Sequence, residues 1–175
     1  MTDGGHFENL AVYELFRRKA KLILVSDAGQ DGDFTFSDLQ TALRRIENDF
    51  GARIEFRGDG PDSVIPYDRL IPGYPLGVKF SWQGFMVADI LYPRPASASI
   101  DDERYRGLLV YLKASLMKSA NLHIKGYKAQ YPAFPHQSTV DQFFDEVQFE
   151  AYREIGYTIA NSMIKQIRPE VFPDK

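Results

Sequence analysis

None of the chain's 175 residues is a cysteine. Disulfides, thiolate metal centres and a cysteine nucleophile are therefore excluded, and the absence fits a reducing compartment. No apolar run reaches the ~18 residues that a membrane-crossing helix needs, and no charged-then-apolar leader opens the chain. A cytoplasmic or peripheral-membrane location is the expectation. An excess of positive charge is also missing: 21 Lys and Arg stand against 24 Asp and Glu, a net charge of −3. Nucleic acid is accordingly not expected as a partner. The densest basic runs, Arg17-Arg18-Lys19 and Arg44-Arg45, read as solvated helix faces. No two of the three histidines, His6, His123 and His136, have metal-ligand spacing. Repeats and low-complexity tracts are absent as well. What is present is ordinary globular composition, 44% hydrophobic and 26% charged, in a length that suits one domain, 1–175, with a real core.

The first third carries the clearest periodicity. Residues 10, 12, 13, 15 and 16 form an apolar stripe that predicts a helix over Asn9–Lys19, with basic residues in its last turn. Lys21-Leu22-Ile23-Leu24-Val25-Ser26 is short, branched and continuously apolar, the pattern of a parallel strand buried on both faces. After a polar turn, Ser37 is placed to cap a helix with apolar residues at 39, 42, 43, 46 and 50. Gly51 stands at its stop, and Arg53–Phe56 alternates as a strand. Helix–strand–helix–strand over 8–57 argues for an α/β layer arrangement.

Beyond it, 58–75 reads as a long surface excursion rich in proline and glycine. Val78–Trp82 and Phe85–Tyr92 predict a hairpin around Gln83-Gly84, 93–102 a second loop, and Leu108–Lys113 a further strand. Tyr131–Gln137 reads as an extended segment fixed by its prolines. Ser138 or Thr139 is expected to cap a long helix, with Asp141 or Gln142 reciprocating. Its expected core stripe is Phe144, Val147, Ala151, Ile155 and Ile159. The aromatics Phe143, Phe144, Phe149, Tyr152 and Tyr157 read as core, and 169–175 as a frayed tail.

Two constellations could carry chemistry. Asp3-Gly4-Gly5 offers a carboxylate beside two residues that let the backbone turn sharply. A carboxylate held at hydrogen-bond distance can take a serine's proton without a histidine. Separately, Asp27-Ala28-Gly29-Gln30-Asp31-Gly32-Asp33-Phe34-Thr35-Phe36-Ser37-Asp38 partly matches a twelve-residue calcium loop, making Asp27, Asp31 and Asp33 candidate ligands. Gly29 occupies a ligand position, Asp38 replaces the bidentate glutamate and a strand enters where a helix should. A turn capped by its own side chains is therefore preferred, with no metal.

The stretch Asp3-Gly-Gly-His-Phe-Glu-Asn-Leu-Ala-Val-Tyr-Glu-Leu-Phe-Arg-Arg18, followed by Leu22-Ile-Leu-Val-Ser-Asp-Ala-Gly29, resembles patatin-like lipid acyl hydrolases where they pass their catalytic aspartate. Tyr131-Pro-Ala-Phe-Pro-His-Gln-Ser-Thr-Val-Asp-Gln-Phe-Phe-Asp-Glu-Val-Gln-Phe-Glu-Ala-Tyr-Arg153 resembles the end of large bacterial members. The resemblance implies a three-layer α/β/α fold, of which this chain forms the C-terminal portion. It makes Asp3 the base of a Ser–Asp dyad, Gly4 and Gly5 its turn, and Asn9 the residue opening the next helix. His6 and Asn9 become candidate borders of the site. Ala11 stands where family members often have proline. The implied reaction is cleavage of a lipid acyl ester through an acyl-serine, without metal or organic cofactor.

No Gly-x-Ser-x-Gly occurs, and no glycine-rich oxyanion loop. In the family both lie N-terminal to the aspartate. The expectation is a chain inert by itself, whose partner is a missing N-terminal half or a second copy. With the apolar run 21–26 left uncovered, residues of the 10–25 region are expected to be exposed. A stand-alone interaction or lipid-binding module is the alternative, and a calcium-binding domain the lesser one.

Overall fold

The structure, a computed structural model, describes residues 7–67, 79–99, 101–138 and 140–171. Its elements are α1 (Tyr13–Arg17), β1 (Leu22–Asp27), α2 (Ser37–Phe50), β2 (Arg53–Phe56), β3 (Phe85–Leu91), β4 (Arg106–Lys113), α3 (Leu122–Gln130) and α4 (Glu146–Val171). The class is mixed α/β, with one four-stranded mixed sheet in the order β1-β4-β3-β2. The contacts gather into two compact units interleaved along the chain. One comprises residues up to Asp27, Thr35–Gly60 and Met86–Tyr111; the other comprises Ala28–Phe34, Pro61–Phe85 and residues from Leu112 on.

In the first unit, the expected helix over Asn9–Lys19 contracts to α1. Ala11 (φ 55°) and Lys19 (φ 54°) both take left-handed backbone on either side of it, a conformation that cannot continue a right-handed helix. Val12 and Phe16 supply the buried face here. β1 differs from expectation more sharply. It alternates, with Ile23, Val25 and Asp27 buried and Leu22 (47%) and Leu24 (57%) exposed. It is packed on one face only, and among the described residues it stands at the edge of the sheet. Consecutive buried residues occur instead in the two interior strands, Phe85, Met86, Val87 and Ala88 in β3 and Leu109, Val110 and Tyr111 in β4.

α2 turns Leu39, Ala42 and Ile46 inward, as its periodicity dictates. Ser37 does not cap it: the cap position is Phe36, left-handed at φ 52° and without a side-chain cap bond. Phe36 is held there by burial, its ring 6.4 Å from that of Tyr111. Gly51 ends the helix as expected, at φ 64°, its N–H donating to the Glu47 carbonyl. β2 then pairs antiparallel with β3, Arg53 opposite Leu91 and Phe56 opposite Ala88. Tyr92 donates its hydroxyl to the Ala20 carbonyl at 2.7 Å, and burial pushes its pKa up to about 12.

In the second unit, the expected hairpin around Gln83-Gly84 does not form. Phe80 bridges Tyr67 and Ser81 bridges Met117 instead. Gln83 folds its side-chain amide onto the Phe85 carbonyl at 2.8 Å, and Gly84 passes directly beneath Ile159 of α4. Part of the 58–75 excursion is core: Gly60–Ser63 makes a 3₁₀ turn and Val64 is fully buried. The rest of that excursion, 68–75, lies outside the described residues, as do Val78, Thr139 and 172–175.

α3 leaves no trace in the apolar periodicity. Asn121 caps it by accepting from the Ile124 N–H at 2.9 Å, and only Ile124 and Tyr127 are buried. Residues 132–136 form consecutive turns rather than an extended segment. The Phe134 N–H donates to the Tyr131 carbonyl and that of His136 to Ala133, around a fully buried Phe134. α4 begins at Glu146, later than expected, because Asp145 is its cap and accepts from the Gln148 N–H at 2.6 Å. Ser138 and Asp141 serve local turns instead, accepting from Val140 and Phe143. The buried stripe is Ala151, Ile155, Ile159 and Met163, whereas Phe144 and Val147 are half-exposed. Phe143, Phe149 and Tyr157 also face solvent, so that aromatic set is not core; Tyr152 alone packs inward, against Phe134. α4 continues through Pro169.

Candidate functional site

Asp3, Gly4, Gly5 and His6 lie outside the described residues, and the site is approached from Phe7 onward. There the chain is pinned onto α2. The Phe7 ring stands edge-on to Tyr13 at 4.7 Å and lies under the Arg45 guanidinium at 4.4 Å. Glu8 turns its carboxylate back to accept from the Leu10 N–H (2.8 Å) and the Tyr13 N–H (3.3 Å), satisfying donors at the start of α1. Asn9 donates its side-chain amide to Asp38 in the first turn of α2 at 3.1 Å. The Tyr13 hydroxyl donates to Asp49 at 2.7 Å, and the hydrogen bond to that carboxylate raises the tyrosine's pKa. Asn9 thus precedes the helix and ties two elements together; it does not open the helix itself. Proline could not stand at position 11, since a ring fixed near φ ~−65° cannot adopt the φ of 55° that Ala11 takes.

Two of the three candidate aspartates of the polar turn, Asp27 and Asp31, have protein partners. Asp27, buried at the end of β1, accepts from the fully buried Tyr111 hydroxyl. In the second unit the Lys113 ammonium, only 2% exposed, donates to the Gly29 carbonyl at 3.2 Å and lies 3.8 Å from Asp31. Asp33 is exposed. Among the described residues no group of three or more His, Asp or Glu is placed to hold a metal. Lys113 and Tyr111 belong to no motif of the sequence. Strand periodicity puts Leu109, Tyr111 and Lys113 on one face of β4, but Val110 on the other face is buried as well, so alternation alone does not single them out.

Other buried or half-buried polar side chains have protein contacts. Ser81 and Ser115 are fully buried and donate to the Leu116 and Val64 carbonyls. Ser63 receives the Gln83 amide at 3.1 Å. His123 sits on the surface with its Nδ1 3.1 Å from Glu154, which also accepts from Asn121 at 3.0 Å. Those two contacts, Asn121 first, lower the Glu154 pKa. His136 stands edge-on to Phe34 at 4.8 Å and helps line a cavity of about 170 Å³. Lys128 also borders that cavity. Its ammonium donates to the Pro132 and Phe134 carbonyls at 2.6 Å, and burial lowers its pKa.

No helix among the described residues is long and apolar enough to cross a membrane. No protein-family model, curated protein or solved structure matches this chain.

Proposed function

We propose that this chain carries the base half of a patatin-like Ser–Asp acyl hydrolase, as the C-terminal portion of a three-layer α/β/α fold. Asp3 takes the proton of a serine supplied by another segment, Gly4 and Gly5 make the turn, and the substrate is a lipid acyl ester. The observation that carries this reading is β1. A strand of the sequence Leu-Ile-Leu-Val-Ser-Asp reads as an interior strand, yet here it stands at an edge with Leu22 and Leu24 half-exposed and Leu15, nearby in sequence, at 38%. An uncovered apolar strand face calls for a covering segment. The anchoring of residues 7–13 onto α2 adds support, since it holds in place the chain directly after Asp3-Gly4-Gly5-His6.

The test is labelling with a serine-reactive fluorophosphonate, with hydrolysis of a p-nitrophenyl acyl ester in parallel. The chain alone should be silent. Joined to, or co-expressed with, the segment encoded upstream, it should label and turn over, and Asp3→Asn should abolish turnover. An upstream segment without Gly-x-Ser-x-Gly would sink the proposal. A second reading, a non-catalytic interaction or lipid-binding module, is favoured by one observation: Phe143 (92% exposed), Phe149 and Tyr157 stand in solvent near or along α4. It predicts vesicle or partner binding that Phe149→Ser weakens, with no esterase activity in any pairing.

A further inference from the structure

Three strand ends meet at one end of the sheet in the first unit. Antiparallel pairing sets Arg53, the first residue of β2, opposite Leu91, the last of β3. The Tyr92 N–H donates to the Tyr105 carbonyl at 2.8 Å, which brings the start of β4 to the same place. Between them lies a cavity of about 370 Å³, within the range of about 300–1,000 Å³ that small ligands occupy. Arg53 from β2, Arg94 from the loop after β3 and Arg106 from β4 all line it, and none of its lining residues is a carboxylate.

These arginines differ from the others around them. Arg57, Arg17 and Arg104 each grip a carboxylate with two nitrogens within 2.6–3.2 Å. Arg53 forms no ion pair among the described residues. Among the same residues Arg94 donates only to the Ala98 carbonyl, which fixes its guanidinium in the loop. Arg106 reaches Asp101 no closer than 3.7 Å, and its Nε is buried with no hydrogen-bond partner among the described residues. Three like charges around one hollow repel one another, Asp101 and Asp89 offsetting only that of Arg106, and a buried donor without an acceptor is costly. An anion with several acceptor oxygens relieves both. A phosphate monoester does so best, because its nearly double charge and three terminal oxygens can be shared among three forked guanidiniums. Tyr105 and Pro93 line the same cavity and offer an apolar wall to the organic part.

We infer that this cavity is a binding site for a phosphate monoester group, held by Arg53, Arg94 and Arg106. The site is independent of the acyl-hydrolase reading, and the phosphate can belong to a soluble metabolite or to a lipid headgroup. The test is calorimetric titration of the chain with glycerol 3-phosphate at low salt, and flotation with phosphatidylcholine vesicles containing phosphatidic acid. Saturable glycerol 3-phosphate binding that Arg106→Gln and Arg94→Gln each weaken roughly tenfold or more, and that Arg57→Gln leaves unchanged, supports a soluble ligand. Flotation lost in the same two variants, with weak glycerol 3-phosphate binding, supports a lipid phosphate. Arg94 lies in a loop and bonds one carbonyl there, so its variant stays informative if Arg106→Gln misfolds. Absence of both forms of binding, equal loss in Arg57→Gln, or tighter binding of succinate than of glycerol 3-phosphate overturns the inference.

Discussion

Gly84 is the position where a single methyl group should do most damage. A Cβ built there would lie 2.4 Å from Ile159 Cγ1, 2.6 Å from Cδ1 and 3.0 Å from Cγ2. Ile159 cannot swing away into solvent, because it is buried in the stripe of α4 at 3% exposure. Overpacking of this kind costs ~1–3 kcal/mol. Gly84 does not sit in the left-handed region, so alanine also restricts the unfolded chain and returns about 0.4–1 kcal/mol. The net expectation for Gly84→Ala is a loss of about 1–2 kcal/mol, or a Tm lower by ~2–8 °C. Ile159→Ala removes all three obstructing atoms and alone costs ~2–5 kcal/mol. The double variant should therefore lose less than the sum of the two, by ~1 kcal/mol or more. Urea unfolding followed by helix circular dichroism reads this directly. Trp82, the single tryptophan, stacked on Tyr67 at 5.0 Å and two residues from the site, gives a second probe. A neutral or stabilising Gly84→Ala, or strict additivity with Ile159→Ala, would refute the close approach.

Ala11 sits at φ 55°; Ala11→Gly should stabilise by ~0.5 kcal/mol and Ala11→Pro destabilise by more than ~2 kcal/mol in the same urea assay. The Tyr92 pKa is raised by burial from its ordinary 10.0 to about 12, so the folded state keeps a proton that the unfolded chain has lost. Stability should fall as pH rises through that window, and Tyr92→Phe should flatten that part of the profile while losing the Ala20 hydrogen bond. Leu24→Lys puts a charge on the exposed face of the edge strand; it should reduce concentration-dependent association by sedimentation without lowering Tm appreciably.

Residues 8–57 are largely legible because their signals are local: α2 follows its own period, Gly51 supplies the αL stop, and Arg53–Phe56 alternates. β1 misleads because composition reports what a strand can bury, whereas its burial is decided by which of its faces another element covers. The hairpin fails for a similar reason. Gln83-Gly84 looks like a turn, but Gly84 is small because Ile159 of a distant helix rests on it. The start of α4 shifts because Ser138, Thr139 and Asp145 could each cap a helix; the half-exposed Phe144 and Val147 show that the stripe begins later. α3 escapes because Gly126 interrupts a nine-residue helix with two buried side chains. The arginine cavity cannot be read from the sequence at all, since Arg53, Arg94 and Arg106 come together only through strand pairing.

The stripe on α4 covers Ala151 to Met163, while the helix runs from Glu146 to Val171. At ~1.5 Å per residue this is about 39 Å of continuous helix, whose buried side chains, among the described residues, lie along its middle. Beyond Met163 the described side chains are exposed or half-exposed, and Pro169 removes one backbone donor near the end. Amide protons between Ala151 and Met163 should then exchange only when the second unit opens as a whole. Those from Lys165 onward should exchange by fraying, orders of magnitude faster. One hydrogen-bonded rod thus contains two kinetic compartments, and a protease probing the native protein should trim the far one first.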